Sequence, residues 1–264
     1  MKAEDKQIWL TSWSYIGKRG MGNPLGWKEG IPKKQRFRWK DISGYPMEGF
    51  GRMDLLSKYV LGAVELLGLP HKTDLEKQTL KAKDKEWKEK IKQGAFFLAT
   101  TSGCLNVDTD FFTSITDPGG ARPRLFTYTL PTVGLGEISR HYGFMGINYA
   151  FLADSSSPYY AFCQALALLE EGKIPCALVL YSEALTEKSF SFCKGLWEEE
   201  KEICFSMAFL LEIGKKEACY FSPLAFITKK EAPMGDPLTS FFDLCTCLQN
   251  KKKKERLYFS DSPP

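Results

Sequence analysis

Only two histidines, His71 and His141, occur in 264 residues, and this scarcity limits acid–base chemistry more than any other feature of the sequence. Eight cysteines are present, at 104, 163, 176, 193, 204, 219, 245 and 247, but no Cys-x-x-Cys and no zinc-ligand spacing occurs among them. Several lie in apolar runs (AFCQALALL, IPCALVLY), where a thiol behaves as a small buried hydrophobe. Cys245-Thr-Cys247 is a weak candidate for a metal or a disulfide. No metal or cofactor is expected. The stretch with most chemical content is 126–185, within which FMGINYAFLADSS reads as a strand breaking into a turn and YYAFCQALALLEEG as an apolar helix stopped by Gly172. A strand that breaks sharply into a helix exposes one side chain beside unpaired backbone N–H groups, which is where enzymes activate a nucleophile. Asp154 and the serines after it can equally cap the buried helix, a task worth about 1 kcal/mol.

The elements around this break are legible at moderate detail. Residues 7–16 alternate apolar and polar as a first strand, and 17–49 form an irregular loop rich in Gly, Pro and Trp. A helix is expected over 53–67, stopped by Gly68 and Pro70, followed by an exposed charged connection or surface helix over 72–92 with Trp87 as its apolar anchor. Further strands are expected at 94–103, 176–185, 204–214 and 220–227, and helices at 107–115, 132–142 and 237–249. Strands alternating with helices imply an α/β fold with a mainly parallel, five-stranded sheet and helices on both faces. The chain reads as one domain over 1–264, with 228–264 as a C-terminal helix and tail.

Composition excludes several classes. A hydrophobic share of 44% with 26% charged residues is ordinary globular chemistry. The net charge of +4 is small, so nucleic acid is not an expected partner, and no apolar stretch approaches the ~20 residues of a membrane span. The absence of a signal-peptide pattern, with cysteines that read as reduced thiols, makes the cytoplasm the expected location.

The order of the motifs resembles that of the β-ketoacyl synthases, members of the thiolase superfamily, over roughly residues 7–225. Arg52-Met53-Asp54 with Ser57-Lys58-Tyr59 is similar to an early "R-M-D-R-F" helix, and LPTVGLGEISRHYGF to "L-P-N-x-x-A-G-x-I-S-x-x-x-G". Gly143 and Gly146 stand where the family has "G-x-x-G-P", A-D-S-S-S where it has "A-C-S-S-S", and FSMAFLLE near "G-E-G-A-x-x-L-V-L-E". Counting back from Gly172 and Ala161 places Ser155 at the position of the nucleophilic cysteine, with Asp154 adjacent. The resemblance implies the N-terminal half of a thiolase-like fold. In that family both catalytic histidines come from the other half, and neither His71 nor His141 occupies a comparable place.

What the resemblance implies is a non-catalytic partner similar to the chain-length factors of type II fatty acid, polyketide and aryl-polyene systems. Such a subunit pairs with an active ketosynthase, meets an acyl carrier protein and shapes the acyl tunnel. By carry-over, Phe111, Phe112, Tyr128 and Phe151 are tunnel-lining candidates, though plain core packing explains each as well. The strand INYAFLAD supplies interface candidates Ile147, Tyr149 and Phe151. A cover for the helix after it is expected from a partner or from Phe241, Phe242, Leu244 and Leu248 of the tail. Two alternatives stay open. One is a Ser155-dependent acyltransferase or hydrolase with Asp110, Asp154 or Glu183 as the acid, against which stand the missing histidine and the missing elbow glycines. The other is a stand-alone acyl-binding homodimer.

Overall fold

The computed structural model describes residues 8–18, 20–23, 25–29, 37–76, 82–153, 156–190 and 203–213. The expected strand at 220–227, the helix at 237–249 and the four tail residues Phe241, Phe242, Leu244 and Leu248 lie outside these. The strands are β1 (Ile8–Gly17), β2 (Gly20–Asn23), β3 (Gly26–Glu29), β4 (Ala95–Thr100), β5 (Asn148–Leu152), β6 (Cys176–Leu185) and β7 (Ile203–Ile213). The helices are α1 (Lys40–Ser43), α2 (Leu55–Leu66), α3 (Lys72–Leu75), α4 (Ala82–Gln93), α5 (Leu105–Ile115), α6 (Pro123–Phe126), α7 (Thr132–Tyr142), α8 (Ser157–Glu170) and α9 (Glu187–Phe190).

One sheet runs in the order β3-β2-β1-β7-β6-β4-β5. Among the described residues it has seven strands where five were expected, and it is mixed where a mainly parallel sheet was expected. Only β4–β5 and β4–β6 pair in parallel, while β6–β7, β1–β7, β1–β2 and β2–β3 are antiparallel. The physical reasons are local. The chain leaves β6 and re-enters as its immediate neighbour β7 from the same end of the sheet, so the short helix α9 between them makes no crossover. The segment expected to be a loop folds Gly20–Asn23 and Gly26–Glu29 back on β1 as a glycine-rich hairpin extension, too short for periodicity to reveal.

The sheet separates two apolar cores. On one face α2 and α7 cover Ile16, Phe96, Leu98, Leu178, Leu180 and Ala208. On the other, α8 covers Ala95, Phe97, Ala99, Val179, Tyr181 and Phe209 through Ala161, Phe162, Ala165 and Leu169. Helices on both faces are therefore present as expected. All ten residues of β6 and all six of β4 are buried, which is why both are mainly apolar, with Ser182 and Glu183 the polar exceptions in β6. Helix α2 begins at Asp54, whose carboxylate accepts from the Leu56 N–H at 2.9 Å and from that of Ser57 at 3.2 Å. Helix α7 ends at Gly143, in the left-handed region at φ 81°.

Three residues later Gly146 lies against backbone. A Cβ there would press into the carbonyl oxygen of Gly94 and stand 3.2 Å from the carbonyl carbon of Gln93. The chain bends at Gly146, and β5 starts at Asn148 and not at 144. Gly146→Ala should therefore lower unfolding free energy by about 2–3 kcal/mol, read by urea titration, because backbone cannot yield as a flexible side chain would. A loss under 0.5 kcal/mol, roughly the surface-substitution level, would contradict this close approach.

Candidate functional site

In an open α/β sheet, ligands gather at the carboxyl ends of the parallel strands. Here those ends are Thr100 of β4, Leu152 of β5 and the Tyr181–Leu185 end of β6. The Ala153 N–H donates to the fully buried hydroxyl of Ser157 at 2.9 Å, which closes the turn from β5 into α8. Asp154 and Ser155, between these two, lie outside the described residues.

The dominant feature at these strand ends is Glu183, which is completely buried. Its carboxylate accepts from the Thr101 N–H at 2.5 Å, the Ser102 N–H at 3.0 Å, the Thr100 hydroxyl at 3.3 Å and the Ser102 hydroxyl. Burial pushes its carboxyl above the ordinary carboxylate range, and the hydrogen bonds of Ser102 and Thr101 oppose that rise. Glu183 thus clamps the turn between β4 and α5. Both of its oxygens are occupied, and Asp110 is held by Lys188 Nζ at 2.6 Å.

Helix α5 leaves this turn and carries two of the tunnel candidates. Phe111 is half-buried, its ring 5.4 Å from that of Phe126, and Phe112 is 75% exposed. Tyr128 packs against the core under α2 and α7, whereas Phe151 packs against the core under α8. The four candidates therefore do not converge on one lining: Tyr128 and Phe151 belong to opposite faces of the sheet. The interface candidates do share an edge. Among the described residues β5 is the last strand of the sheet, and Ile147 is 38% and Tyr149 51% exposed. Tyr149 stacks on Phe97 with ring centroids 6.1 Å apart, and Phe151 lies 6.3 Å from the same ring. Leu152, 59% exposed, extends the apolar edge and was not singled out from sequence.

Both histidines sit where β5 begins, at the end of the sheet opposite the turn into α8. His71 Nε2 is 2.8 Å from Glu65 and 2.8 Å from the Tyr45 hydroxyl, and Tyr142 donates to the same Glu65 at 2.6 Å. This Tyr45–Glu65–His71–Tyr142 cluster joins α2 to the end of α7 and was not visible in the sequence, since its members lie up to 97 positions apart. Burial and the neighbouring Glu65 carboxylate push the Tyr45 hydroxyl up to about 12. His141 is pushed down to about 4, by burial first and then by Arg140 and His71, with Glu65 opposing. The Glu137 carboxylate 3.7 Å from its Nε2 does not reverse that direction. A histidine whose folded pKa lies below its unfolded value of 6.5 leaves stability intact above pH 6.5 and loses it as pH falls towards 4. The loss should be about 2 kcal/mol over that window, discounted for the 17% residual exposure of the side chain. Comparing acid titrations of stability for the protein and His141→Gln checks it: the variant should lack this component, and equal acid limbs would refute it.

No protein-family model and no curated protein matches the chain. Solved structures do. It is similar to the ishigamide ketosynthase/chain length factor, with TM-score 0.58 and 19% identity, over 83% of this chain and 64% of that one. It is similar over 93% of both chains, with TM-score 0.58 and 15% identity, to a chain of the ketosynthase ApeO in complex with its chain length factor ApeC from Xenorhabdus doucetiae. It is also similar, with TM-score 0.55 and 17% identity over 79% of this chain and 63% of that one, to a chain of a type II PKS acyl-carrier protein in complex with its ketosynthase bound to the hexaketide. The chain shares the fold of these ketosynthase and chain-length-factor structures. It spans under two thirds of the first and third of these relatives, and nearly all of the second.

Within the ketosynthase fold, the outer side of α8 exposes Tyr160 and Ala167, with Gln164 half-buried between them. No helix among the described residues is long and apolar enough to cross a membrane. Among the described residues no cluster of three His, Cys, Asp or Glu side chains assembles that could hold a metal.

Proposed function

We propose that this chain is a chain-length-factor-like subunit that pairs with an active ketosynthase of a type II fatty acid, polyketide or aryl-polyene system. In this reading it shapes the acyl tunnel and performs no condensation itself. The observation that carries it is the outer edge of β5, unpaired among the described residues and lined by Ile147, Tyr149 and Leu152. An apolar edge strand offers unpaired backbone groups as a template for another strand, and leaving it bare invites aggregation. A strand of a partner ketosynthase satisfies both the backbone and the exposed side chains. The named relatives, which include a ketosynthase with its chain length factor and an acyl-carrier protein with its ketosynthase, support the same pairing.

The silent role rests on sequence and surroundings. Ser155 stands where a condensing enzyme has cysteine, and the two histidines lie at the other end of the sheet. Acyl chains would arrive on an acyl carrier protein at the active partner, in the cytoplasm, with Phe111 and Phe112 of α5 facing the shared tunnel. The test is condensation by the chain together with a ketosynthase from its own gene neighbourhood. Ser155→Ala should leave the rate within about twofold, whereas removal of a working nucleophile costs several orders of magnitude. A loss of that larger size would overturn the silent reading in favour of a Ser155 acyltransferase.

A further inference from the structure

Helix α5 has 11 residues, yet only Val107 and Ser114 are buried. One buried valine contributes about 1.5–3 kcal/mol, and a helix this short is marginal by itself. Something other than apolar packing must fix its position. The segment from the end of β6 into α9 supplies it. Glu183 holds the turn before α5 by the amides of Thr101 and Ser102. Thr186 and Ser189 both donate to Asn106 Oδ1 in the first turn of α5, the latter at 3.3 Å. One turn further on, Lys188 Nζ meets Asp110 at 2.6 Å. The side of α5 turned away from these contacts carries Phe111, against Phe126 of α6, and the exposed Phe112.

We infer that Glu183 and Asn106 are positioning residues that hold α5 against the β6–α9 segment, and thereby set where Phe111 and Phe112 stand in the acyl tunnel. The link to chain length rests on the proposed function; the clamp itself does not. Both residues act through α5 and neither is assigned contact with the acyl chain. Four donors converge on a buried carboxylate and two on one amide oxygen, so the helix has one well-defined seat. With the clamp weakened, α5 shifts while the sheet and α2 keep their packing.

The clamp is tested on the full chain by amide hydrogen exchange of Glu183→Gln and Asn106→Ala. Glu183→Gln keeps the shape but turns an NH2 group towards N–H donors; Asn106→Ala removes the acceptor of Thr186 and Ser189. Exchange over 101–115 should rise at least about tenfold in each variant, with 55–66 and 176–185 unchanged. If Glu183→Gln loosens the whole molecule, Asn106→Ala alone decides. Wild-type exchange over 101–115 in Asn106→Ala, or an equal rise in α2 and β6, would overturn the clamp. With the ketosynthase bound, both variants should alter the distribution of product lengths at unchanged complex mass, a result that loss of stability alone does not give. Unchanged product lengths would overturn the link to the tunnel. Failure of the wild-type chain to bind any ketosynthase would instead remove the proposed function, and the exchange result would still stand.

Discussion

Replacing Ile147 and Tyr149 together by lysine should weaken pairing with the ketosynthase about a hundredfold, while leaving the lone chain folded. The two side chains are 38% and 51% exposed, so the free protein buries only part of each. Completing that burial in an interface is worth about 1–2 kcal/mol per side chain, and about 3 kcal/mol in total corresponds to two orders of magnitude in Kd. Lysine adds the cost of desolvating a cation on a strand edge, the device natural sheets use to keep edges unpaired. Within the chain the Tyr149 ring contacts with Phe97 and Phe151 are lost, and an aromatic pair of this kind is worth about 0.5–1.5 kcal/mol. Titration calorimetry with the ketosynthase and thermal melting of the lone chain separate the two effects. An unchanged Kd would show that β5 is not the contact edge.

The second large effect belongs to Glu183. Glu183→Ala removes the acceptor of two backbone amides and two hydroxyls at a point where water does not reach. Leaving several buried donors unpaired should cost about 3–5 kcal/mol of stability. Glu187→Ala, on the exposed first turn of α9, should cost under about 0.5 kcal/mol. Urea titration of both variants checks the contrast. Equal, small losses would mean that the β4–α5 turn does not depend on the carboxylate.

Several elements were legible because local signals agreed. The expected helix over 132–142 and its stop at Gly143 coincide with α7, since a left-handed C-cap needs glycine or its like there. The strand at 176–185 coincides with β6, because a strand buried on both faces reads as a mainly apolar run. Helix α8 and the break before it were visible for the same reasons. Strand direction was not visible: nothing in 176–213 distinguishes a return to the adjacent position from a crossover. The β2–β3 hairpin hides among glycines, and the apolar stretch 144–147 looks like strand until Gly146 is found against Gly94.

The site was legible by residue type more than by arrangement. From the sequence Glu183 reads only as a candidate acid beside Asp110 and Asp154, and not as the clamp of the β4–α5 turn. Its partners, Thr100, Thr101 and Ser102, come from more than 80 positions away in the chain, and no local pattern points to them. The aromatics of α5 illustrate the same limit. Phe111 and Phe112 are adjacent and chemically equal, yet one is half-buried against Phe126 and the other is exposed, a difference that only the seating of the helix decides.

The central claim is that this ketosynthase fold works as one subunit of a pair. Its most direct test is the light-scattering mass after size exclusion, for the chain alone and for the chain co-expressed with a full-length ketosynthase from its own gene neighbourhood. The account predicts a one-to-one complex on co-expression and, for the lone chain, a soluble species heavier than a monomer through self-association at the β5 edge, which is unpaired among the described residues. A stable lone monomer that ignores the ketosynthase would contradict it.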